Sequence, residues 1–443
     1  MSQITSGGMV NAYVPGASTA VTAEEATLIS RRQKLLGTAY RLFYEHPVHV
    51  VRGEGCWLYG GNGEAYLDVY NNVASVGHCH PHVITALARQ ASILNTHTRY
   101  LHDTILEYAE RLLATLPAEL GRVMFTCTGS EANDLALRVA RSATGGEGVI
   151  VTSLAYHGVT SAVAEFSPSL GRQVPLGRHV RTVPAPDGYR GDGDVGRAFA
   201  AGVRAALDDL TRHGIKPAAM FCDTIFSSDG VFADPPGFMA EAVAAVQAAG
   251  ALFVADEVQP GFGRTGHGMW GFERHGIVPD LVTVGKPMGN GHPVAGVFGR
   301  ADLIDEFGRN TRYFNTFGGN PVSCQVGMAV LDVIEREGLI ANARDVGSDM
   351  RDRFRELGQR YPVIGDVRGT GLFTGVELVK DRTTKAPDPE TTTRLVNGLR
   401  ERRVLISATG PHANILKVRP PLVFGRKETD VLMAAVAETL AAL

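Results

Sequence analysis

Asp256 and Lys286 are the two residues whose types and surroundings are best suited to chemistry. Each follows a short apolar run, 252–255 and 281–285 respectively, so each is expected at the end of a buried strand. Open α/β sheets bind their ligands at that edge. A lysine beside a buried pocket can lose its proton and form an imine with an aldehyde, and an aspartate can keep a pyridine nitrogen protonated so that the ring withdraws electrons. A simple ion pair at the strand edge is the alternative interpretation.

The segment 128–133, Thr-Gly-Ser-Glu-Ala-Asn, is suited to binding a phosphate. It follows a predicted strand and opens a predicted helix, and the free backbone N–H groups of a helix start favour anions. Gly129 and Ser130 would supply a close backbone approach and a hydroxyl donor. Serine is also an ordinary helix N-cap, so this motif alone leaves both interpretations open.

Tyr156, His157 and Thr316 complete the first set of candidate residues. Tyr156 and His157 follow the strand predicted at 148–151, where an aromatic ring can lie flat against a bound ring, although such a pair also packs in ordinary cores. Thr316 lies in a Gly- and Asn-rich loop, 315–321, before a long predicted helix. Its hydroxyl could donate to a phosphate, but such loops are also common without a function.

Helices and short apolar runs alternate from about residue 80, and these elements must position the candidate residues. Strands are predicted at 123–125, 148–151, 218–221, 251–255 and 281–284, and helices at 81–94 and 104–116. Short apolar runs between helices are typical of strands that are buried on both faces of a mostly parallel sheet. The predicted fold class is therefore α/β.

The two ends of the chain predict a smaller α+β domain. The predicted elements there are a capped helix at 22–36, strands near 48–51 and 57–59 with a turn at 60–63, a helix at 321–336, strands within 366–378, 404–406 and 415–418, an exposed loop at 380–390 and a helix at 427–443. The division that follows is 1–75 for a loose N-terminal arm and part of the small domain, 76–330 for the large domain, and 331–443 for the C-terminal small domain.

Composition excludes several classes of function. The chain has 443 residues and a formal net charge of −3, so no basic excess indicates nucleic acid or an acidic membrane as a partner. The first twenty residues lack the charged and apolar regions of a secretory signal. The five cysteines lack metal-ligand or paired spacing, and His78-Cys79-His80 is interpreted as a turn before a helix, so no metal site is predicted and a reduced, cytoplasmic location is expected.

In combination, these motifs resemble the class III (ω-type) aminotransferases, which are pyridoxal-phosphate (PLP) enzymes of fold type I. The resemblance spans nearly the whole chain from about Leu42, and several independent motifs carry it in the correct order. They are GHCHP (77–81), TGSEAND (128–134), AYHG (155–158), FVADEVQPGFGRTG (253–266), VPDLVTVGK (278–286), NTFGGNP (315–321) and VRGTGLF (367–373). The fold implied is a mostly parallel seven-stranded sheet between helices in a large cofactor-binding domain, beside a small α+β domain.

The resemblance assigns roles to matching positions. Lys286 would be the Schiff-base lysine and Asp256 the partner of the pyridine nitrogen. The remaining assignments are Val258 on the ring face, Gln259 near the ring hydroxyl, Gly129 and Ser130 on the cofactor phosphate, Tyr156 stacked on the ring with His157 beside it, and Thr316 of the partner subunit on the phosphate. A homodimer with its sites at the subunit interface is implied, and whether dimers pair into tetramers is left open.

Two positions depart from members that act on α-amino acids. Ser228 stands where those members have a glutamate, and Lys417 stands where they have an arginine that grips a substrate carboxylate. The amino-phosphate phospho-lyase branch of the family, which includes ethanolamine-phosphate and 5-phosphohydroxylysine phospho-lyases, shares this pattern. The segment NILKVRPPLVF (414–424) carries that likeness together with NVASVGHCHP (72–81), LNTHTRYLHD (94–103), GSEANDLALR (129–138), GKPMGNGHPVA (285–295) and RYFNTFGGNPVSC (312–324).

The function predicted from this branch is β-elimination of phosphate from an amino phosphate such as O-phosphoethanolamine. Lys417 is the first candidate for binding the departing phosphate, Arg419 and Arg99 are weaker candidates, and Asn71 and Asn72 would line the pocket. An ordinary ω-transaminase that moves an amino group from an amine to a keto acid is the main alternative. A non-catalytic cofactor-binding protein is a third interpretation, which the Asp256–Lys286 pair disfavours.

Overall fold

The computed structural model describes residues 11–16, 21–191 and 193–443. The arm predicted over 1–20 lies outside these residues except for 11–16, where Ala12 forms a bridge with Phe43. The strands are β1 (Val50–Glu54), β2 (Trp57–Gly60), β3 (Ala65–Asp68), β4 (Arg122–Thr126), β5 (Gly148–Thr152), β6 (Val180–Val183), β7 (Pro217–Cys222), β8 (Leu252–Asp256), β9 (Leu281–Val284), β10 (Ala295–Gly299), β11 (Ile364–Thr370), β12 (Phe373–Asp381), β13 (Ala386–Pro387), β14 (Val404–Leu405), β15 (Ser407–Thr409) and β16 (Ile415–Val418).

The helices pack around these strands. They are α1 (Ala23–Leu36), α2 (Pro81–Ala91), α3 (Asp103–Leu113), α4 (Gly129–Thr144), α5 (Ser161–Ala164), α6 (Val195–Arg212), α7 (Ala240–Ala248), α8 (Ala301–Asn310), α9 (Pro321–Arg336), α10 (Leu339–Arg360), α11 (Pro389–Glu401) and α12 (Arg426–Ala442). The capping box at Thr22 starts α1 as predicted, because its hydroxyl and the Glu25 carboxylate bond to each other's backbone N–H. Within the described ranges, no helix has the length and apolarity that crossing a membrane requires.

In the described residues, the large sheet has seven strands in the order β4-β10-β9-β8-β7-β5-β6. Neighbours pair in parallel from β9 through β8, β7 and β5 to β6, whereas β10 runs antiparallel to both β9 and β4. Apolar clusters cover both faces of this sheet, which explains why its central strands are continuous apolar runs. The predicted α/β fold with a mostly parallel seven-stranded sheet is confirmed.

Strands β6 and β10 were missed by the sequence analysis. β6 lies at the edge of the sheet, and its two central residues, Arg181 and Thr182, are polar, so it lacks a continuous apolar run. β10 begins and ends beside glycines, and a side chain at Gly296 would come within 3.1 Å of the Met124 carbonyl oxygen. These short or glycine-rich segments become strands because their neighbours in the sheet supply the hydrogen-bond partners.

Two smaller sheets lie beside the large one in the described part of the chain. The first has the order β1-β2-β3-β14, in which β14 from the C-terminal region pairs in parallel with β3. The second has the order β11-β12-β16-β15, with β13 paired to β12, so the loop predicted at 380–390 contains a short strand and the start of α11. Helix α9 continues past residue 330, and the division of the chain at 75 and 330 stays a prediction.

Candidate active site

A cavity of about 310 Å³ lies at the carboxyl edge of the large sheet. Its lining comes from the segments that follow β4, β5, β7, β8 and β9, which all end at this edge. The lining residues are Val73, Cys127, Thr128, Gly129, Ser130, Tyr156, His157, Gly158, Asp223, Asp256, Val258, Gln259, Lys286, Gly291, His292, Pro293 and Val294. The fold therefore brings the predicted lysine, aspartate, phosphate-binding and ring-contacting residues together in one place.

Lys286 begins a 3₁₀ turn directly after β9. Burial and, next in size, the positive charge of Arg419 lower its pKa to about 8, while the carboxylates of Asp256 and Asp223 act in the opposite direction. A lysine whose pKa lies near 8 has a sizeable neutral fraction at physiological pH. Its Nζ is therefore suited to attack an aldehyde and to accept a proton.

Asp256 is the last residue of β8, and its carboxylate is 3% exposed. Oδ2 accepts a hydrogen bond from Asn133 at 2.9 Å and lies 2.7 Å from Nδ1 of His157, and Oδ1 accepts the Val258 N–H at 3.1 Å. Since a carboxylate only accepts, we assign the shared proton of this contact to Nδ1 of His157. His157 thus lies behind Asp256 and fixes its orientation, and Asp256 also reaches the cavity.

The start of α4 has the geometry of a phosphate cradle. Thr128 caps the helix through a reciprocal capping box with Glu131, which leaves the N–H groups of Gly129 and Ser130 at the first turn beside the cavity. Ser130 Oγ accepts the Val159 N–H at 3.1 Å. A Cβ at Gly158 would lie 2.5 Å from that same oxygen, so the close approach of these two segments requires a glycine.

Tyr156 and Val258 line the cavity, where a flat ring could contact both side chains. Tyr156 is 40% exposed, and burial of the rest of its side chain raises the pKa of its hydroxyl. Val258 also packs closely on the phosphate cradle, because a Cβ at Gly129 would lie 3.0 Å from its Cγ2. The glycine at 129 therefore lets α4 approach the strand that carries Asp256.

Asn72, Gln259 and Arg419 form a buried polar cluster at one side of the cavity. Oε1 of Gln259 accepts hydrogen bonds from Asn72 Nδ2 at 2.7 Å and from Arg419 Nη1 at 2.6 Å, and Arg419 Nη1 also donates to Asn72 Oδ1 at 2.8 Å. The guanidinium lies 4.3 Å from the centre of the Tyr70 ring. Of the three, Gln259 lines the cavity, so Arg419 acts on the site through Gln259 and through its charge.

Lys417 lies on β16 and is 7% exposed. Its Nζ stands 5.7 Å from the centre of the Phe373 ring and forms no ion pair with the described residues. Burial lowers its pKa well below the ordinary value, as do the charges of Arg419 and Lys286, while Asp223 and Asp229 raise it. Lys417 is therefore a buried amine without a fixed anionic partner, close enough to Lys286 to repel it.

Asp223 is a cavity residue that the sequence analysis did not single out. It follows β7, accepts the N–H groups of Ile225 and Ser227, and has a pKa that burial raises. Its position directly after an apolar run was the available signal, the same one that marked Asp256. Ser228, five residues later, does not line the cavity, and its carbonyl oxygen accepts the Gly410 N–H.

Six predicted residues are not part of this cavity lining: Asn71, Asn72, Arg99, Thr316, Lys417 and Arg419. Asn71 closes a local turn by accepting the Val73 N–H. Arg99 and Thr316 are exposed, and the Arg99 guanidinium lies 3.9 Å from the centre of the Phe314 ring. A single chain therefore leaves Arg99 and Thr316 on its surface, and the role predicted for Thr316, in the site of a partner subunit, stays a prediction.

Together, the sheet, the buried lysine and aspartate at its carboxyl edge, and the cradle at α4 define a PLP-binding site of fold type I. The chain belongs to the class-III aminotransferase family, whose profile matches residues 42–440, and this family is PLP-dependent. The side chains fit the cofactor, since the cradle excludes a Cβ at Gly158 and the buried lysine has a pKa near 8. The structure thereby supports PLP as the cofactor on grounds of its own.

Comparisons with known proteins give the same family. A solved phospholyase from Arthrobacter, in complex with phosphoethanolamine, is 44% identical with a TM-score of 0.91, and the match covers 94% of this chain and 100% of that one. A Drosophila melanogaster protein named alanine–glyoxylate aminotransferase 2-like is 40% identical over 94% of this chain and 87% of its own. A Caenorhabditis elegans protein named ethanolamine-phosphate phospho-lyase homolog 1 is 36% identical over 95% and 94%.

Proposed function

We propose that this chain is a PLP-dependent phospho-lyase, which removes phosphate from an amino phosphate such as O-phosphoethanolamine by β-elimination. The products would be acetaldehyde, ammonia and inorganic phosphate, with one water consumed. The observation that carries the proposal is Lys417, a buried amine that forms no ion pair with the described residues and replaces the carboxylate-binding arginine of the family. The likeness to a phospholyase that was solved with phosphoethanolamine supports it.

The chain's own residues supply what this reaction needs. Bound PLP acts as an electron sink for charge that develops on the substrate carbon. Lys286 Nζ accepts a proton from the carbon bonded to the substrate nitrogen, and the pair of electrons left behind expels phosphate from the adjacent carbon. Asp256 accepts hydrogen bonds at both carboxylate oxygens and lines the cavity, where it would hold a protonated ring nitrogen. The released enamine then adds water and yields the aldehyde and ammonia.

In this scheme, Lys417 would receive the substrate phosphate. An ammonium ion that is buried without a partner is costly, and a phosphate dianion removes that cost by supplying charge and hydrogen-bond acceptors. Lysine serves as a point charge for a tetrahedral phosphate, whereas arginine matches the planar, two-oxygen face of a carboxylate. The lysine at this position therefore favours an amino phosphate over an α-amino acid.

The proposal includes a homodimer and a cytoplasmic location. Tyr100, Leu101 and Phe317 are large apolar side chains that lie exposed beside Arg99 and Thr316, and a second copy of the chain would cover them. That copy would bring its loops to the cavity, as the family resemblance implies. The cysteines are free thiols, which supports a reducing compartment.

An ω-transaminase remains the second candidate, because the Drosophila relative carries an aminotransferase name. The same Lys286 and Asp256 would serve it, and the difference lies in whether the carbanion loses phosphate or regains a proton. Lys417 and Ser228 decide our preference, since Lys417 replaces the arginine that grips an amino-acid carboxylate and Ser228 replaces the glutamate found in the members that act on α-amino acids.

The experiment is incubation of the cofactor-loaded protein with O-phosphoethanolamine and no keto acid, following phosphate and acetaldehyde together. We expect equal release of both over many turnovers. The Lys286→Ala variant is the matched control and should release neither. Absence of phosphate release, with amino transfer once pyruvate is added, would replace the phospho-lyase by the transaminase.

A further inference from the structure

Behind Asp256, a chain of buried hydrogen bonds leads to a threonine on the next strand. Asn133 Nδ2 donates to Asp256 Oδ2 at 2.9 Å and to the His157 carbonyl oxygen at 2.7 Å. On its other side, Asn133 Oδ1 accepts the hydroxyl of Thr283 at 2.7 Å. Asn133 and Thr283 are both 0% exposed, so water does not compete for these bonds.

The acceptors around Asn133 fix the orientation of its amide. The Asp256 carboxylate and the His157 carbonyl oxygen can only accept, so the amide must turn its NH₂ group toward them. The amide oxygen then points the other way, into a buried place where it needs a donor. Thr283 supplies that donor, because its hydroxyl is the group within reach of Oδ1. Without the hydroxyl, the amide would lose the partner that stabilises this orientation.

The register of the sheet places Thr283 where it can act on the aspartate. Thr283 on β9 is the direct neighbour of Asp256 on β8 in the parallel pairing. Asn133 on α4 packs over both strands and closes the link between them. His157 Nδ1 and Asn133 Nδ2 are both directed at Oδ2, so these two contacts together fix the orientation of the carboxylate.

We propose that Thr283 is a positioning residue for Asp256, which it holds through the Asn133 amide in the orientation that binds the cofactor ring. The inference rests on the assignment of Asp256 to the ring nitrogen. It does not depend on whether the bound cofactor then eliminates phosphate or transfers an amino group. Thr283 touches neither the ring nor the substrate in this scheme, and its effect passes entirely through Asn133.

The test compares three variants of the full-length protein without substrate. Thr283→Val keeps the shape of the side chain and removes the hydroxyl, Thr283→Ser keeps the hydroxyl, and Asn133→Asp keeps an acceptor for Thr283 but removes the amide donor. Thr439→Val is the matched control, because its buried hydroxyl bonds only to a carbonyl within α12. The readouts are the PLP dissociation constant and the pH midpoint of the visible band of the lysine-bound cofactor, with thermal unfolding of the cofactor-free protein measured alongside.

We expect Thr283→Val to weaken PLP binding about tenfold and to raise the pH midpoint of the band by about one unit, as the loss of one buried hydrogen bond would. In this variant Asp256 would hold the ring nitrogen less firmly, so the ring would withdraw fewer electrons from the carbon bonded to Lys286. The pH midpoint of the band would therefore rise. Asn133→Asp should shift both readouts at least as far, and provides the test even if Thr283→Val unfolds. Thr283→Ser and Thr439→Val should stay within about twofold of the parent in PLP affinity.

Two results would overturn the inference. One is a Thr283→Val protein, or an Asn133→Asp protein, whose band and PLP affinity equal those of the parent. The other is a Thr283→Ser protein whose PLP affinity and pH midpoint are changed as much as those of Thr283→Val. That result would mean that Thr283 contributes through packing of its methyl group and not through its hydroxyl. Neither result involves phosphate release, so the outcome is separable from that of the phospho-lyase assay.

Discussion

The Arg419 guanidinium donates from Nη1 to Oε1 of Gln259 at a distance of 2.6 Å. Gln259 lines the cavity, whereas Arg419 is buried and forms no ion pair with a carboxylate in the described residues. An arginine whose hydrogen bonds go to neutral amides keeps its full positive charge. That charge acts on the buried amines nearby, and after burial itself it is the largest cause that lowers the pKa of Lys286 to about 8.

Removal of the Arg419 charge should therefore raise the pKa of Lys286. In the cofactor-free protein, the neutral fraction of Lys286 grows as pH rises through its pKa, so the rate of covalent PLP attachment should increase with a midpoint near 8. We expect Arg419→Met to move this midpoint upward by about one pH unit, because a like charge nearby disfavours the protonated amine. The measurement is the attachment rate as a function of pH.

Arg419→Lys is the matched control for this prediction, since it keeps the positive charge but replaces the guanidinium with a smaller ammonium group. Its midpoint should stay near that of the parent, although a looser Gln259 would slow attachment at every pH. A midpoint that moves equally in both variants would show that hydrogen bonding to Gln259, and not charge, controls Lys286.

Replacement of Lys286 itself separates covalent from noncovalent binding of the cofactor. We expect Lys286→Ala to abolish borohydride-trapped PLP, because the amine is gone, and to keep reversible binding, because Ser130 and Asp256 are unchanged. Mass spectrometry after reduction and a PLP dissociation constant measure the two effects. Replacement of the exposed Lys427 on α12 provides the control. A trapped adduct that persists in Lys286→Ala would place the Schiff base on another lysine.

Lys417 should control affinity for the substrate phosphate. Lys417→Met removes the charge at nearly constant volume, and we expect KM for O-phosphoethanolamine to rise about 10- to 100-fold, the range for a hydrogen bond to a charged group. PLP should remain bound, since the cradle at α4 is separate from β16. Lys427→Met is the control for loss of an exposed lysine. Unchanged kinetics for Lys417→Met would remove this residue from the substrate site.

Binding of inorganic phosphate should also be coupled to proton uptake at Lys417. Burial and the neighbouring cations hold the pKa of the free amine well below its ordinary value, so the free amine loses its proton more readily than an exposed lysine does. A dianion beside it raises that pKa, and the amine then takes up a proton. Calorimetric titration at a pH where phosphate is a dianion, in buffers of different ionisation enthalpy, measures this uptake. We expect the parent to take up a fraction of a proton that Lys417→Met does not, and equal uptake by both would exclude Lys417 as the acceptor.

The sequence was most informative where a single strand contains buried core residues and ends in a candidate catalytic residue. The apolar run before Asp256 predicted β8 and the position of the carboxylate at its end, because the requirement to bury a central strand acts on every residue in it. The same reasoning placed Lys286 at the end of β9. It also applies to Asp223, which directly follows the apolar strand β7 but was not among the predicted site residues.

Contacts between distant residues were beyond the reach of sequence patterns. Thr283 and Asn133 are 150 positions apart, and Asn72 and Arg419 are 347 apart. Their pairing depends on how α4 packs on the sheet and how the C-terminal strands return to the cavity. No local periodicity encodes either arrangement, so a threonine in an apolar strand looks like an ordinary strand residue.

Gly158 gives a prediction about the phosphate cradle that depends on backbone geometry alone. Its φ of +141° is unfavourable for any residue with a side chain, and an added Cβ would lie 2.5 Å from Ser130 Oγ and 2.8 Å from Ser130 Cα. Gly158→Ala should therefore push Ser130 and the first turn of α4 away from the following segment, and we expect PLP affinity to fall at least about tenfold. Gly308→Ala is the matched control, because Gly308 lies in α8 with open space around it and alanine favours a helix. PLP dissociation constants and the rise in Tm on adding PLP measure the effect. A Gly158→Ala protein that binds PLP like Gly308→Ala would show that the cradle can adjust without loss, and that Ser130 is not held by this contact.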